Sequence, residues 1–325
     1  MVACGDGDIA QVATLLRAEN APSSTGEKSC PFGFGKDSTS NTDATAVLPL
    51  DLNATNCDGE TALMFASENG HDAVVKALLG SPGGVGVDVA RRNKRGWTAW
   101  SLAARSGHLS TCELLLHEQL IRSLPASNVD AASSAAARRA IVNQQDRNGC
   151  TALVSAAGQA HRDMVTYLLG EGADLTLRDA DGVSTLVRAL HRGAADIALD
   201  LVQAATATLT TPAAEAFFNA QSVDGDTALT VAAAKGYADV VQALLASGGA
   251  QLNLDAQDAV GYTALMRAAA RGHRDVAQLL RTAGADPGIK NLDGQTADDV
   301  AAPTVGDAVA TASIITRGMM AQTKF

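Results

Sequence analysis

Four histidines recur at one place in the chain: His71, His108, His161 and His273 each lie ten residues after a Thr. Imidazoles at a fixed spacing are the side chains that hold zinc or move protons near neutral pH. A shared metal fails on distance, because stacked helices lie about 8–10 Å apart whereas two nitrogens on one zinc sit within about 4 Å. Ala194 and Tyr237 occupy the same place in sibling segments, so these histidines are read as packing elements. His117 and His191 have no partner that sequence identifies. The stretch GFGKDST at 33–39 has the glycines and Lys of a phosphate loop but not its spacing: Cys30 stands where the first Gly belongs and Asp37 follows the Lys. A surface loop is expected there. Five cysteines, Cys4, Cys30, Cys57, Cys112 and Cys150, are odd in number, far apart and without C-x-x-C, which argues against a disulfide framework and against a thiolate zinc site. With no nucleophile–base pair and no paired acids, neither enzymatic activity nor a cofactor is expected.

The elements that carry these residues repeat. Aligned on the Thr of "TAL", the chain shows Thr61, Thr98, Thr151, Ser184, Thr227, Thr263 and Thr296, a unit of 33 residues that is sometimes lengthened. Five positions on stand Ala66, Ala103, Ala156, Ala189, Ala232 and Ala268; nine on, Gly70, Gly107, Ala160, Gly193, Gly236 and Gly272; seventeen on, Leu78, Leu115, Leu168, Leu201, Leu244 and Leu280. The Thr predicts a helix N-cap, the Gly a left-handed helix end, and the apolar run after it a second helix. Ala allows close backbone approach and Leu fills the space between units. A single such hairpin cannot bury enough apolar surface to stand alone, so stacking into a solenoid is required. Apolar residues are 46% and aromatics 3% of the chain, a core of Ala, Leu and Val that suits helices.

The period and the run from Asp or Asn through "GxTAL", "AA", "GH" and "LL" resemble the ankyrin repeat. The resemblance implies an all-α ankyrin-repeat solenoid of stacked helix-turn-helix units with short β-turn fingers. Where the family usually has "TPLH", Pro is replaced by Ala62, Ala99, Ala152, Thr185, Ala228 and Ala264, and His by Met64, Ser101, Val154, Val187, Thr230 and Met266. The side-chain hydrogen bonding expected of that His is therefore absent.

The expected organisation is a partial repeat at 1–16, an inserted loop at 17–50, and six full repeats over 51–302 that run into a partial C-terminal one. A cap or tail at 303–325 follows. Insertions fall near 81–84, 117–141 and 203–221; their Ser, Thr, Ala, Pro and Asn content reads as surface loop, with a helical turn in the middle one. No run reaches the roughly 18 apolar residues that span a bilayer, and the start lacks a signal-peptide pattern. A cytoplasmic monomer is expected, with the nucleus as a second compartment. A net charge of −10 argues against nucleic acid as a partner.

In the family, side chains of the turn before each Thr and of the end of the first helix line the concave face that commonly binds protein partners. At these places the second and third repeats carry a charge of +4 between them, from Lys94, Arg95, Arg105 and Arg147. Trp97 stands amid these cations as a candidate anchor, packing against the adjacent insertion being the alternative. The expected partner-binding set is Lys94, Arg95, Trp97, Arg105, Arg147, Asn148, Arg192, Lys235, Tyr262 and Arg271. Trp100, in a column of Leu, is expected in the core. The expected function is a non-enzymatic scaffold that binds an acidic or phosphorylated protein segment. The second reading is a regulatory or substrate-recruiting segment of a larger kinase-like protein, motivated by the abrupt start inside a repeat.

Overall fold

The computed structural model describes residues 51–80, 86–123 and 131–301 of the chain. The partial repeat at 1–16, the loop at 17–50 with its GFGKDST stretch, the insertion near 81–84 and the tail at 303–325 lie outside the described residues. The chain divides into two compact units, Met1–Ala180 and Asp181–Phe325. Among the described residues both are all-α, built from antiparallel helix pairs, and no strand is formed.

In the N-terminal unit the helices are α1 (Ala62–Glu68), α2 (Asp72–Gly80), α3 (Ala99–Ser106), α4 (Leu109–Ser123), α5 (Ala131–Val142), α6 (Ala152–Gly158) and α7 (Arg162–Gly170). The first helices α1, α3 and α6 stack on one another, as do the second helices α2, α4 and α7. The C-terminal unit repeats the plan with α8 (Thr185–Arg192), α9 (Ala195–Thr208), α10 (Thr211–Phe218), α11 (Ala228–Lys235), α12 (Ala238–Gly248), α13 (Ala264–Arg271) and α14 (Arg274–Ala283). There α8, α11 and α13 stack, and so do α9, α12 and α14.

Each first helix starts where its Thr or Ser satisfies a backbone N–H that the helix cannot. Met64 N donates to Thr61 Oγ1 at 3.3 Å, Ser101 N to Thr98 Oγ1 at 3.2 Å and Val187 N to Ser184 Oγ at 3.3 Å. Such a cap is worth about 1 kcal/mol. The Ala column is fully buried, with Ala66, Ala103, Ala156, Ala189, Ala232 and Ala268 all at 0% exposure, so a larger side chain there would force neighbouring backbones apart. The Leu column is buried with it, and Trp100 is 1% exposed.

Loss of the "TPLH" His does not strip the stack of polar bonds; other groups carry them. Ser101 and Thr230 each accept the backbone N–H of their own cap residue at 2.8 Å and close a capping box. Across repeats, the turn histidines bridge backwards: His108 Nε2 lies 3.0 Å from Glu68 O and His273 Nε2 lies 3.2 Å from Ala234 O. These rings lie over the preceding repeat's left-handed Gly, where a Cβ on Gly70 or Gly236 would collide with them. Ala160 takes the same left-handed conformation, φ 63°, with a Cβ in place.

Two expectations need correction. The segment 203–221 is not a surface loop: α9 runs on to Thr208, and α10 follows with Pro212 in its first turn. Phe217 and Phe218 are buried and meet edge to face with centroids 5.4 Å apart. Asn219 then donates to Gln251 O at 2.8 Å and accepts from Asn253 N at 2.7 Å, tying the insertion to the next repeat. Within 117–141 the structure holds most of a helix pair in place of one turn, because α4 extends to Ser123 and α5 spans three turns. Ile141 and Val142 bury the end of α5, and Arg138 pairs with Glu171 at 2.5 Å. At the end of the described chain, Asp298, standing where Leu is usual, pairs with Arg281, and Asp299 caps Thr296.

Candidate partner-binding face

Before each first helix the chain makes a short finger built on an Asn, Asp or Ser five residues ahead of the Thr. Asn93 Oδ1 accepts from Arg95 N at 3.0 Å and Trp97 N at 2.9 Å; Asp146 Oδ1 accepts from Asn148 N and Cys150 N, both at 2.8 Å. In the C-terminal unit Asp258 Oδ1 does the same for Val260 N and Tyr262 N. The side chain replaces the backbone partner that a tight turn cannot supply. Neighbouring fingers then join through single backbone bonds: Lys94 N to Asp58 O at 2.9 Å and Arg147 N to Arg95 O at 3.0 Å.

Arg95, Trp97 and Arg105 come together in the N-terminal unit. Trp97 is half-buried, and its indole N–H donates to Asp146 Oδ2 of the next finger at 2.6 Å. Over its ring lie the guanidinium of Arg105, 4.3 Å from the centroid, and that of Arg95 at 5.4 Å. Trp97 is therefore a clamp between fingers as well as a platform for two cations. Among the described residues neither Arg95 nor Arg105 meets a carboxylate. Lys94, Arg95, Arg147 and Asn148 are exposed at the finger tips, where Asn148 O accepts from Ala180 N at 2.7 Å.

The remaining expected residues belong to the C-terminal unit and are not all gathered. Lys235 and Arg271 line a cleft of about 530 Å³ together with His191, Asp226, Arg267 and His273. Tyr262 lies outside that lining, under the guanidinium of Arg267 at 4.8 Å, and Arg192 is exposed away from it. Lys235 Nζ donates to His191 O at 2.9 Å, and His191 Nε2 lies 3.4 Å from Asp226 Oδ2, so His191 gains the partners its sequence did not identify. Sequence reasoning missed Arg267, whose Nε donates to Asp258 Oδ2 at 2.8 Å with the Asp258 side chain only 1% exposed. A partial signal was present: a charge at 267 in a column that holds Phe65, Leu102, Ser155 and Val231, with Arg188 as its one counterpart. Arg105, His191, Arg192, Lys235 and Arg271 all sit in the last turn of a first helix, where a cation also offsets the negative end of the helix dipole.

Among the described residues no three His, Cys, Asp or Glu side chains are grouped to hold a metal, and no helix is long and apolar enough to cross a membrane. Burial pushes the Cys112 thiol well above its ordinary value, with the charges of Glu113 and Asp72 adding to the effect, which leaves it an inert packing group.

Residues 1–124 and 201–291 match the family model described as ankyrin repeats in three copies, and residues 148–180 match that of the single ankyrin repeat. The mouse B-cell lymphoma 3 protein homolog is 29% identical over 153 residues, covering 43% of this chain and 34% of that protein. The Caenorhabditis elegans ankyrin repeat and KH domain-containing protein mask-1 is 46% identical over 59 residues, 18% of this chain and 2% of that protein. The match thus spans about a third of the first relative and a small fraction of the second. The crystal structure of the ankyrin repeat domain of Bcl-3, titled a unique member of the IkappaB protein family, superposes with a TM-score of 0.54 at 24% identity. It covers 75% of this chain and 95% of that one, a likeness of fold. Ankyrin-repeat domains generally mediate protein–protein interactions and are typically non-catalytic, and with family models matched along most of its length this chain belongs to the ankyrin-repeat family.

Proposed function

We propose that the chain is a protein-interaction scaffold whose N-terminal unit docks an acidic or phosphorylated segment of a partner on Lys94, Arg95, Arg105 and Arg147. One observation carries this reading: two guanidinium groups lie over a single indole, and among the described residues neither is in an ion pair, the nearby Asp146 carboxylate being taken by the indole N–H. Stacking uses the faces of the guanidinium groups and leaves their N–H edges for forked bonds to carboxylate or phosphate. Preorganisation by the ring lowers the entropy lost on binding. The partner's anionic groups would meet these edges, and exclusion of bulk water around the half-buried Trp97 would strengthen the contact.

Affinity capture from cell extract with the intact chain and with Arg95→Glu tests the reading. Loss of the captured partners in the variant, with folding unchanged by circular dichroism, is expected. Partners indifferent to Arg95→Glu and to the double variant Arg95→Glu, Arg105→Glu would remove the proposal. Trp97→Ala is a poorer test, because it also cuts the clamp to Asp146.

A further inference from the structure

The first helices of the C-terminal unit, α8, α11 and α13, each carry a basic residue in the last turn, whereas the last turns of α9, α10 and α12 carry none. A helix ends in carbonyl oxygens and the negative pole of its dipole, so a cation beside that end is favourable. These three uncompensated ends converge. Thr206 of α9, Ala214, Glu215 and Phe218 of α10, and Ser247 of α12 line one cavity of about 190 Å³ together with Leu252. The sequence supplies no cation nearby: between Arg192 and Arg267 the only Lys or Arg is Lys235, which donates to His191 O in the last turn of α8.

The insertion builds this cavity and holds it. Asn219, directly after α10, donates to Gln251 O at 2.8 Å and accepts from Asn253 N at 2.7 Å, which ties that helix to the segment after α12. Gly248 leaves room for Leu252, since a Cβ at 248 would lie 2.8 Å from the Leu252 Cβ. Phe218 and Leu252 are buried and give the cavity an apolar wall. The carboxylate of Glu215, half-buried in the lining, makes no hydrogen bond or ion pair among the described residues. None of the lining residues belongs to a finger or to a first helix, so the cavity is separate from the candidate partner-binding face.

An ammonium group on an apolar stem answers both the charge and the wall. A bare divalent cation does not, because calcium takes about 6–8 oxygen ligands and a single carboxylate beside apolar side chains falls short. An anion would meet Glu215 and three negative helix ends. An apolar cavity of about 150 Å³ takes up a benzene, so one of about 190 Å³ suits a small molecule. We propose that the C-terminal unit binds a small primary amine in this cavity, with the ammonium toward Glu215 and the three helix ends and the alkyl or aryl body against Phe218 and Leu252. This goes beyond the docking proposed for the N-terminal unit and uses none of its residues.

Saturation-transfer NMR titrations of the full-length chain with hexylamine, 1-hexanol and hexanoate test it. Hexylamine is expected to bind about tenfold more tightly than hexanol, and hexanoate more weakly than either. Glu215→Gln keeps the shape of the cavity and should remove most of the preference for the amine while leaving hexanol binding unchanged. Ala214→Leu and Ser247→Leu fill the cavity and should each weaken both ligands about tenfold, with folding checked by circular dichroism so that either variant suffices if the other misfolds. Asp239→Asn, in the first turn of α12 and outside the lining, should change neither. Equal binding of hexylamine and hexanol, a preference that survives Glu215→Gln, or folded cavity-filling variants that bind as the parent does would overturn the proposal. Weakening by Asp239→Asn as large as that by Glu215→Gln would trace the binding to diffuse negative charge and overturn it as well.

Discussion

The Trp97 finger of the N-terminal unit and the Tyr262 finger of the C-terminal unit use one plan and end with opposite electrostatics. In each an aromatic residue closes the finger under a guanidinium, and an Asx side chain holds the turn. Two things differ: the second atom of that Asx group, and the residue four after the Thr, which is Arg267 in one repeat and Leu102 in the other. Asp258 offers Oδ2, and Arg267 takes it; Asn93 offers Nδ2, which is buried with no hydrogen-bond partner. One finger thus consumes its cation internally, whereas in the other neither Arg95 nor Arg105 is in an ion pair among the described residues. Surface charge counts alone miss this, because Arg267 and Arg105 count alike.

Asp258→Ala breaks the C-terminal version most severely. It removes the acceptor for two backbone N–H groups and leaves Arg267 without its buried partner, so a loss of about 3–5 kcal/mol is expected. Asp258→Asn keeps the turn and loses only the ion pair, so it should cost less than half as much; urea denaturation of both variants checks the order. Equal losses would mean that the turn, not the pair, sets the stability.

A smaller effect tests what the two units share. Gly70→Ala and Gly236→Ala each add a Cβ to a left-handed residue and drive it into His108 or His273. Each should cost about 2–3 kcal/mol, of which about 1–2 is the left-handed penalty. Adding His108→Ala to Gly70→Ala should remove the collision, giving a double variant less destabilised than the sum of the singles. Additive losses would show that the ring does not key the turn.

The smallest effect concerns acid. Burial works to raise the pKa of Asp72, but hydrogen bonds from Ser110 and Thr111 and the charges of Lys76 and His108 outweigh it and hold the carboxyl below its usual value. A group depressed in the folded state stabilises fully above its unfolded pKa, about 3.9, and loses that contribution as pH falls through the folded one. Asp72→Asn should therefore lower stability at neutral pH and converge on the parent below about pH 4, as read from urea midpoints. A constant difference at all pH values would contradict the assignment.

Much of this fold is written locally and was legible for that reason. The Thr caps, the buried Ala and Leu columns and the left-handed Gly positions each report a backbone or packing demand at their own residue. What stayed hidden depends on distant partners. The 203–221 segment reads as loop from its Thr, Pro and Asn content, and burial of Phe217 and Phe218 against other elements favours the helix it forms. The left-handed φ of Ala160 is legible from its place in the Gly column and not from its own side chain. At the candidate site, the exposed cations of the fingers were legible from charge. The clamp from Trp97 to Asp146 was not, because the two are 49 residues apart. The pairing of Arg267 with Asp258 spans only nine residues but depends on how the finger folds back onto the helix, which the column pattern does not encode.

In the proposed function, the neutral Asn93 in the Trp97 finger keeps Arg95 and Arg105 available to an anionic segment. Asn93→Asp tests it most directly, since Asp holds the equivalent turn at positions 146 and 258 and should preserve the fold. Binding of a labelled phosphoserine peptide rich in Glu, followed by anisotropy, should weaken about tenfold in Asn93→Asp and lose part of its salt dependence. Unchanged affinity and an unchanged salt slope would contradict the claim.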